Sequence, residues 1–457
     1  MSAEAQVIGD AQPLALGSPE KRTSLRSLVG AATGSFGLNI VNTGATVLTT
    51  IALARTMELS AFGTYSWVVA TVYLLSVPAL LGVDRLLMRD VAVYLASDAA
   101  GHARGLMRRS AQLVVVACAT IVSVVALAAL VLFPSTDPAT SSALVIGVLA
   151  LPALALAWLA QSALIGMHKV VLGQIPELAL RPLLLLGMVA LAALVLRRPI
   201  GAPFAAALFT ASAAVAAVCA FLLLRRRTSK SIRGAQPAYD SRRWLFAALG
   251  LVVLSGAQFV NSQIGVVALG FLDDADSAGL YAVAQRGALL VAFPLLALNA
   301  ALAPTAARLW ARGETGQLQR LVTAGARGVL IAAMPIAIAF VLIGGTLLDV
   351  VFGQAFGGAA QSLAILSVAQ IANVATGSVA MLLMMTGHQT RAAVGIICGL
   401  VVNVVLCVVL VPTLHADGAA LAAAAGIVVA NVIHVVIARS SLRIDPTALG
   451  LLRPRAS

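Results

Sequence analysis

Two arginines of this chain lie where arginine is costly to hold. Arg286 follows Gln285 inside the apolar run 279–304, and Arg181 stands four residues after Glu177 near the start of the run 171–196. A charge at the centre of a bilayer-spanning stretch costs about 2.5 kcal/mol or more, and it is kept for a partner, a water-filled cavity or a ligand. At 1.5 Å per residue Arg286 lies about 10 Å into its run. A guanidinium at that depth can fork onto an anion such as a phosphate, or it can snorkel outward to Asp273, Asp274 or Asp276. Depth alone leaves both readings open. Glu177 and Arg181, one turn apart, share a helix face. The plain reading is a structural ion pair, since pairing lowers the cost of both charges. The sharper reading makes Glu177 a proton- or ion-coupling carboxylate, because it is the only acid well inside an apolar run.

Amides accompany these charges at the same depth: Asn42, Gln258, Asn261, Gln370 and Asn373, with Gln161, Gln263, Asn403 and Asn431. An amide both donates and accepts, which suits sugar hydroxyls. The same groups tie helices together in lipid, and roughly half are expected to do only that. The chemistry that is missing narrows the classes further. No Gly-x-x-x-x-Gly-Lys-Ser/Thr loop is present. Neither a catalytic Ser/His/Asp or Cys/His set nor a His/Cys metal spacing can be placed. Cys118, Cys219, Cys398 and Cys407 all fall inside apolar runs and read as small core residues. The expectation is therefore no catalytic residue, no metal, no cofactor and no enzyme activity.

The elements that position these groups must be membrane helices. The 457 residues are 61% hydrophobic and 10% charged, and apolar runs of about 20 residues recur, the length of a helix across a bilayer. A membrane β-barrel would alternate in shorter segments. Twelve spans fit: 27–54, 62–83, 111–133, 142–166, 171–196 and 201–224, then 244–271, 279–304, 328–352, 359–386, 392–413 and 416–438. Of the 30 basic residues, 25 fall on the side of the termini and three, Arg55, Arg197 and Arg198, on the other. That split predicts cytoplasmic termini. It also accounts for the net charge of +13 by orientation and anionic lipid, so nucleic acid is not an expected partner. The loops 84–110 and 305–327 are expected to form short basic helices on the membrane surface.

The expected organisation is a disordered tail at 1–24, a six-helix bundle at 25–224, a basic hinge loop at 225–243, a second six-helix bundle at 244–440 and a tail at 441–457. The two bundles read as copies. Gly63 and Tyr65 recur as Gly279 and Tyr281 in similar surroundings, and Asn42 and Asn261 hold similar places in the first and seventh spans. Such parallel repeats enclose a site between the halves.

In this order, the motifs Ile51-Ala52-Leu53-Ala54-Arg55, Phe62-Gly63-Thr64-Tyr65, Phe293-Pro294 with Pro304, Val351-Phe352-Gly353-Gln354-Ala355-Phe356, Asn403 through Val411-Pro412 and Asp417-Gly418-Ala419-Ala420 give the chain a family resemblance. Over about residues 25–440 it resembles the bacterial oligosaccharide and O-antigen flippases of the multidrug/oligosaccharidyl-lipid/polysaccharide exporter superfamily. The resemblance implies two six-helix bundles around a central cavity and alternating access. It implies an undecaprenyl-pyrophosphate-linked oligosaccharide as substrate, moved from the inner to the outer leaflet of the bacterial cytoplasmic membrane for cell-surface polysaccharide assembly. Membrane lipids, a glycan polymerase and assembly proteins are the partners it implies. Lipid II flippases of the same superfamily carry a cavity arginine at a place similar to Arg286, which favours Arg286 and Gln285 as pyrophosphate contacts. Those relatives also place arginines in the first span, where this chain has Asn39, Asn42 and Thr43. The alternatives are a cation-coupled multidrug exporter on the same fold, a lipid II-type flippase, and a membrane polymerase or ligase for the same glycan. The short outer loops and a first span without a carboxylate count against the last and the first of these.

Overall fold

The computed structural model describes residues 19–132, 138–196 and 198–450. The tail expected over 1–24 lies outside the described residues as far as residue 18, as do 451–457 of the C-terminal tail. In lipid every backbone N–H and C=O must find a partner within its own element, so apolar runs of this length become helices. Among the described residues there are helices and connections and no strand.

The first lobe contains α1 (Pro19–Thr56), α2 (Leu59–Leu80), α3 (Val83–Ala96), α4 (Ala100–Leu132), α5 (Pro138–Val148), α6 (Ala150–Gly166), α7 (Val170–Ile175), α8 (Arg181–Leu196) and α9 (Ala202–Arg227). A short helix α10 (Lys230–Gly234) occupies the hinge, with Ser229 accepting from the Ile232 amide at its start. The second lobe contains α11 (Ser241–Leu272), α12 (Ala275–Ala311), α13 (Thr315–Phe352), α14 (Ala360–Ala375), α15 (Val379–Met385) and α16 (Gln389–Ile437).

Ten helical stretches among the described residues are long and apolar enough to cross a membrane. The last, Gln389–Leu442, is 54 residues long and breaks at His415, whose backbone leaves the helical region at φ 52. It holds the eleventh and twelfth expected spans, and α11 holds the seventh. Three details differ from the expectation. Of the stretch 84–110 only α3 is a separate short helix, and the residues from Ala100 onward already belong to α4. The stretch 305–327 is no separate surface helix: α12 runs on to Ala311 and α13 starts at Thr315, so both spans extend into it. The tenth expected span, 359–386, is broken at Gly377 (φ +70) into α14 and α15. There the chain's own 445–448 segment comes in: the Ala448 amide donates to the Ala375 carbonyl at 2.8 Å, and the Pro446 carbonyl lies where a side chain on Gly377 would stand.

The lobes meet along α2, which packs against both α11 and α12. At one end of this seam Gly63 and Gly279 cross, with Trp67 edge-on to Phe271 nearby at 5.2 Å between centroids. We call that end the far side. At the other end, the hinge side, Trp244 donates its indole N–H to the Tyr94 hydroxyl at 3.0 Å. The linker is fastened there to α4: Arg104 donates to the Ala235 carbonyl at 2.6 Å and the Ala238 amide to the Gly101 carbonyl at 3.0 Å. Gly63 and Gly279, the repeat-related pair, touch each other across the seam, as equivalent positions do beside a pseudo-two-fold axis.

Candidate functional site

Helix α1 brings Asn42, Thr46, Thr49 and Thr50 to one face, at spacings of four, three and one residues that keep them on a single stripe. Thr49 and Thr50 spend their hydroxyl protons on the Ala45 and Thr46 carbonyls at 2.7 and 2.8 Å, which leaves oxygen lone pairs free to accept. That stripe forms one wall of a cavity of ≈ 510 Å³ in the first lobe, bounded further by residues of α2, α3, α6, α8, α9, α11 and α12. Buried Leu53 and Phe62 floor its far-side end, and Asp84 with the exposed Arg85 marks its hinge-side end.

The wall opposite α1 is aromatic. Tyr73 stacks on Trp158 with centroids 6.2 Å apart and planes 11° from parallel, and Phe209 and Phe259 meet Tyr73 at 6.2 and 6.3 Å. The four rings come from α2, α6, α9 and α11, so this cluster fixes how four helices sit around the cavity; each such ring pair adds about 0.5–1.5 kcal/mol beyond area burial.

Against the rings lies the Glu177–Arg181 pair. Arg181 Nη2 stands 2.8 Å from Glu177 Oε1, Arg181 Nε donates to the same oxygen at 2.8 Å, and the guanidinium lies over the Phe209 ring at 5.9 Å from its centroid. Both side chains are nearly buried, 9% exposed for Glu177 and 12% for Arg181. A π-turn over Pro176–Leu180 presents the pair: the Arg181 amide reaches back five residues to the Pro176 carbonyl. Pro176 and Pro182 bracket the turn and neither has an N–H to donate, which removes two of the bonds that would hold a regular α-helix. π-Turns of this kind concentrate at functional sites. Glu177 Oε2 is buried beside Trp158 and has no aligned donor.

Arg286 differs from Arg181 in its surroundings. It lines the cavity half-buried on α12, within electrostatic reach of Tyr65, Tyr73 and Arg181, and among the described residues it has no hydrogen bond or ion pair. Snorkelling to the far-side aspartates is not what the geometry holds. Asp273 pairs with His415 at 2.9 Å, and Asp274 caps α12 by accepting from the Ser277 amide at 2.8 Å. Gln285 also lines the cavity, its side-chain N–H donating to the Ser262 carbonyl at 3.1 Å.

Of the residues singled out in the sequence, Asn42, Gln161, Glu177, Arg181, Gln263, Gln285 and Arg286 come together around this cavity. Gln258, Asn261, Gln370 and Asn373 do not line it, and three of them tie helices instead. Asn403 donates to Asn261 at 2.9 Å, joining α16 to α11. Asn431 donates to Asn373 at 3.0 Å, and Asn373 to Gln370 at 3.1 Å, joining α16 to α14. Gln258 is exposed on α11. The physical reason is that an amide in lipid gains as much from a neighbouring helix as from a ligand. The aromatic wall and Tyr65 are cavity residues that residue type and spacing alone did not single out as a site. Tyr65 carried a signal through the repeat; Tyr73, Trp158, Phe209 and Phe259 carried none, since lone rings in apolar runs read as packing.

A protein family described as "Polysaccharide biosynthesis protein" matches residues 32–310. No curated protein matches the chain. Among solved structures, a multidrug resistance MATE family transporter of the MOP superfamily in an inward-facing conformation superposes with a TM-score of 0.73 at 15% identity, covering 90% of this chain and 98% of that one. The lipid II flippase MurJ in an inward closed conformation gives 0.65 at 12% identity over 90% and 87%. A MOP superfamily transporter from Pyrococcus furiosus gives 0.64 at 14% identity over 91% and 95%. At these identities the likeness is one of fold: two helical lobes of a multi-pass membrane transporter.

Proposed function

We propose that this chain, which belongs to the polysaccharide biosynthesis protein family, is a flippase that carries a polyprenyl-pyrophosphate-linked oligosaccharide from the inner to the outer leaflet of the bacterial cytoplasmic membrane. The observation that carries the reading is Arg286, a cation inside a membrane cavity with no protein counter-ion among the described residues. Such a charge is tolerated where an anion or water meets it, and a diphosphate supplies both the charge and the planar oxygens a guanidinium forks onto. Arg181, already neutralised by Glu177, lies within electrostatic reach and adds a second cation if the carboxylate yields. The α1 hydroxyls and Asn42 face the same space and offer acceptors and donors to sugar hydroxyls.

The hinge side, where the basic linker lies, is read as cytoplasmic. On that reading the cavity mouth at Asp84 and Arg85 faces the cytoplasm, and the conformation is inward-facing. Alternating access then requires the far side to open and the hinge side to close.

The fold likeness to a multidrug resistance transporter motivates one rival, a cation-coupled multidrug exporter. The cavity holds Arg85, Arg181 and Arg286 against Asp84 and Glu177, a balance that suits an anion. Complementation of a flippase-null strain separates the two. Wild type restores surface glycan; Arg286→Lys restores less; Arg286→Ala falls by roughly tenfold or more, the loss expected for charge-assisted bonds worth about 1.5–3 kcal/mol. The cytoplasmic-leaflet intermediate accumulates in step. Full function of Arg286→Ala at normal protein level contradicts the proposal.

A further inference from the structure

Two sequence motifs that the cavity does not absorb, the one ending in Arg55 and the one running from Val351 to Phe356, lie nearly 300 residues apart and meet on the far side. The geometry points to this meeting as the far-side gate of the transport cycle, with Arg55 as its latch.

Helix α13 ends at Phe352, and Gly353 turns the chain away at φ +113. The last carbonyls of a helix have no amide ahead of them and carry the negative end of the helix dipole. At this terminus the Gly353 amide serves the Leu348 and Asp349 carbonyls. Val350 and Val351 are served instead by Arg55 at the end of α1, whose Nε donates to the Val351 carbonyl at 2.9 Å and whose Nη2 donates to the Val350 carbonyl. The first lobe thus caps a helix of the second. Directly inside this tie Phe62 of α2 meets Phe356 edge-on, centroids 5.4 Å apart, and Phe352 backs Phe356 at 6.3 Å. Phe62 and Phe356 are both buried, and Phe62 is also the far-side floor of the cavity. Beside it α2 crosses α12 at Gly63 and Gly279. A Cβ on Gly63 would overlap the Ala275 carbonyl oxygen, and a Cβ on Gly279 would stand 3.2 Å from the Gly63 Cα.

Phe62, buried between the cavity and this contact set, stands between a substrate in the cavity and the far side. The contact set is built to part. Two glycines give a smooth crossing without interlocked side chains, one ring pair plugs it, and the polar tie is an exposed arginine on carbonyls that water can serve when it lets go. The inference rests on the two-lobed fold and the closed far side, and it does not depend on which molecule is carried.

The test is a pair of distance measurements by pulsed electron spin resonance on the full-length chain in lipid nanodiscs, with the four native cysteines replaced. Spin labels at Ser60 and Gln354 report the far side; labels at Ser97 and Gly316 report the hinge side. In the otherwise native chain the far-side pair gives a short distance. Arg55→Ala and Gly63→Val are each expected to add a longer far-side population and, in the same molecules, a shorter hinge-side one, because opening one end of a rocking pair of lobes closes the other. Unchanged distributions in Arg55→Ala overturn the assignment. A longer far-side distance with the hinge side unmoved also overturns it, since that is local fraying. Should Gly63→Val fail to accumulate, Arg55→Ala decides alone, because it removes an exposed tie and no buried packing.

Discussion

Arg181 and Arg286 share a cavity and a charge, yet their surroundings assign them different work. Arg181 is held at 2.8 Å by Glu177 and lies over Phe209. Removing either partner leaves the other charged, nearly buried and uncompensated, a loss of about 3–5 kcal/mol for a buried pair. Glu177→Gln and Arg181→Gln are therefore expected to lower the amount of folded protein, and the charge swap Glu177→Arg with Arg181→Glu to recover part of it. Detergent-solubilised fluorescence chromatography measures this. Normal levels of all variants with transport abolished would instead make Glu177 a coupling carboxylate. The types of these two residues and their one-turn spacing were enough to pair them from the sequence. The amides were less legible. Asn42 and Asn261 look equivalent as letters in a repeat, and only the packing separates Asn42, on the cavity, from Asn261, which receives Asn403.

Between residue and fold, irregular backbone does the positioning. The π-turn at Pro176–Leu180 rotates Glu177 and Arg181 relative to the helix that follows. Pro176 lines no part of the cavity, yet its missing N–H helps keep the turn from becoming a regular helix. Pro176→Ala is expected to leave protein level near normal and to reduce transport several-fold by re-aiming Arg181; transport at the native rate would show that the turn is incidental. A second irregular element is the segment after α16. Gln319 reads the Asp445 backbone from both sides, accepting from its amide at 2.7 Å and donating to its carbonyl at 2.6 Å. Arg327 donates to the Ala448 and Gly450 carbonyls at 2.8 and 3.1 Å. Burial alone would raise the Asp445 carboxyl, but hydrogen bonds from Thr447 and the ion pair with Arg439 at 2.7 Å together hold it below its ordinary value of 3.8. A depressed carboxyl stabilises the docked segment above the ordinary value and loses that contribution as pH falls through the lowered one. Amide exchange at Asp445 and Ala448, normalised to the free peptide, is expected to be flat from neutral pH down to about 4 and to rise below it, with Asp445→Ala faster at neutral pH and converging with wild type at the acid end. None of this was legible beforehand. A tail of mixed polar letters gives no periodic signal, and a docked coil is set by the surface that receives it.

At the scale of the molecule the sequence was most informative, because lipid admits so few solutions. Bilayer-length apolar runs were enough to foresee an all-helical membrane fold in two lobes. The repeat in the letters at Gly63 and Gly279 anticipated a crossing that the lobes make. What those regularities could not convey is the asymmetry of the cavity, which lies in the first lobe with α11 and α12 at its edge. Ala70, the position in the first lobe that corresponds to Arg286, also lines it, so the charge belongs to one half and not to the scaffold. Topology is checked by single cysteines at Ser231 and Asp274 in a chain lacking the native four. An impermeant thiol reagent on intact cells is expected to reach Asp274→Cys and not Ser231→Cys.

The central claim is transport of a lipid-linked glycan through a cavity read by Arg286. Its most direct test is reconstitution of the purified chain into liposomes holding a polyprenyl-pyrophosphate-linked oligosaccharide, with leaflet position followed by an impermeant glycosidase. The account predicts that wild-type protein exposes the glycan from the protected leaflet, that Arg286→Ala at equal density does so at least roughly tenfold more slowly, and that a lipid carrying the same glycan without phosphate is not moved. Equal rates for wild type and Arg286→Ala, or no transfer above protein-free liposomes by wild type, would contradict it.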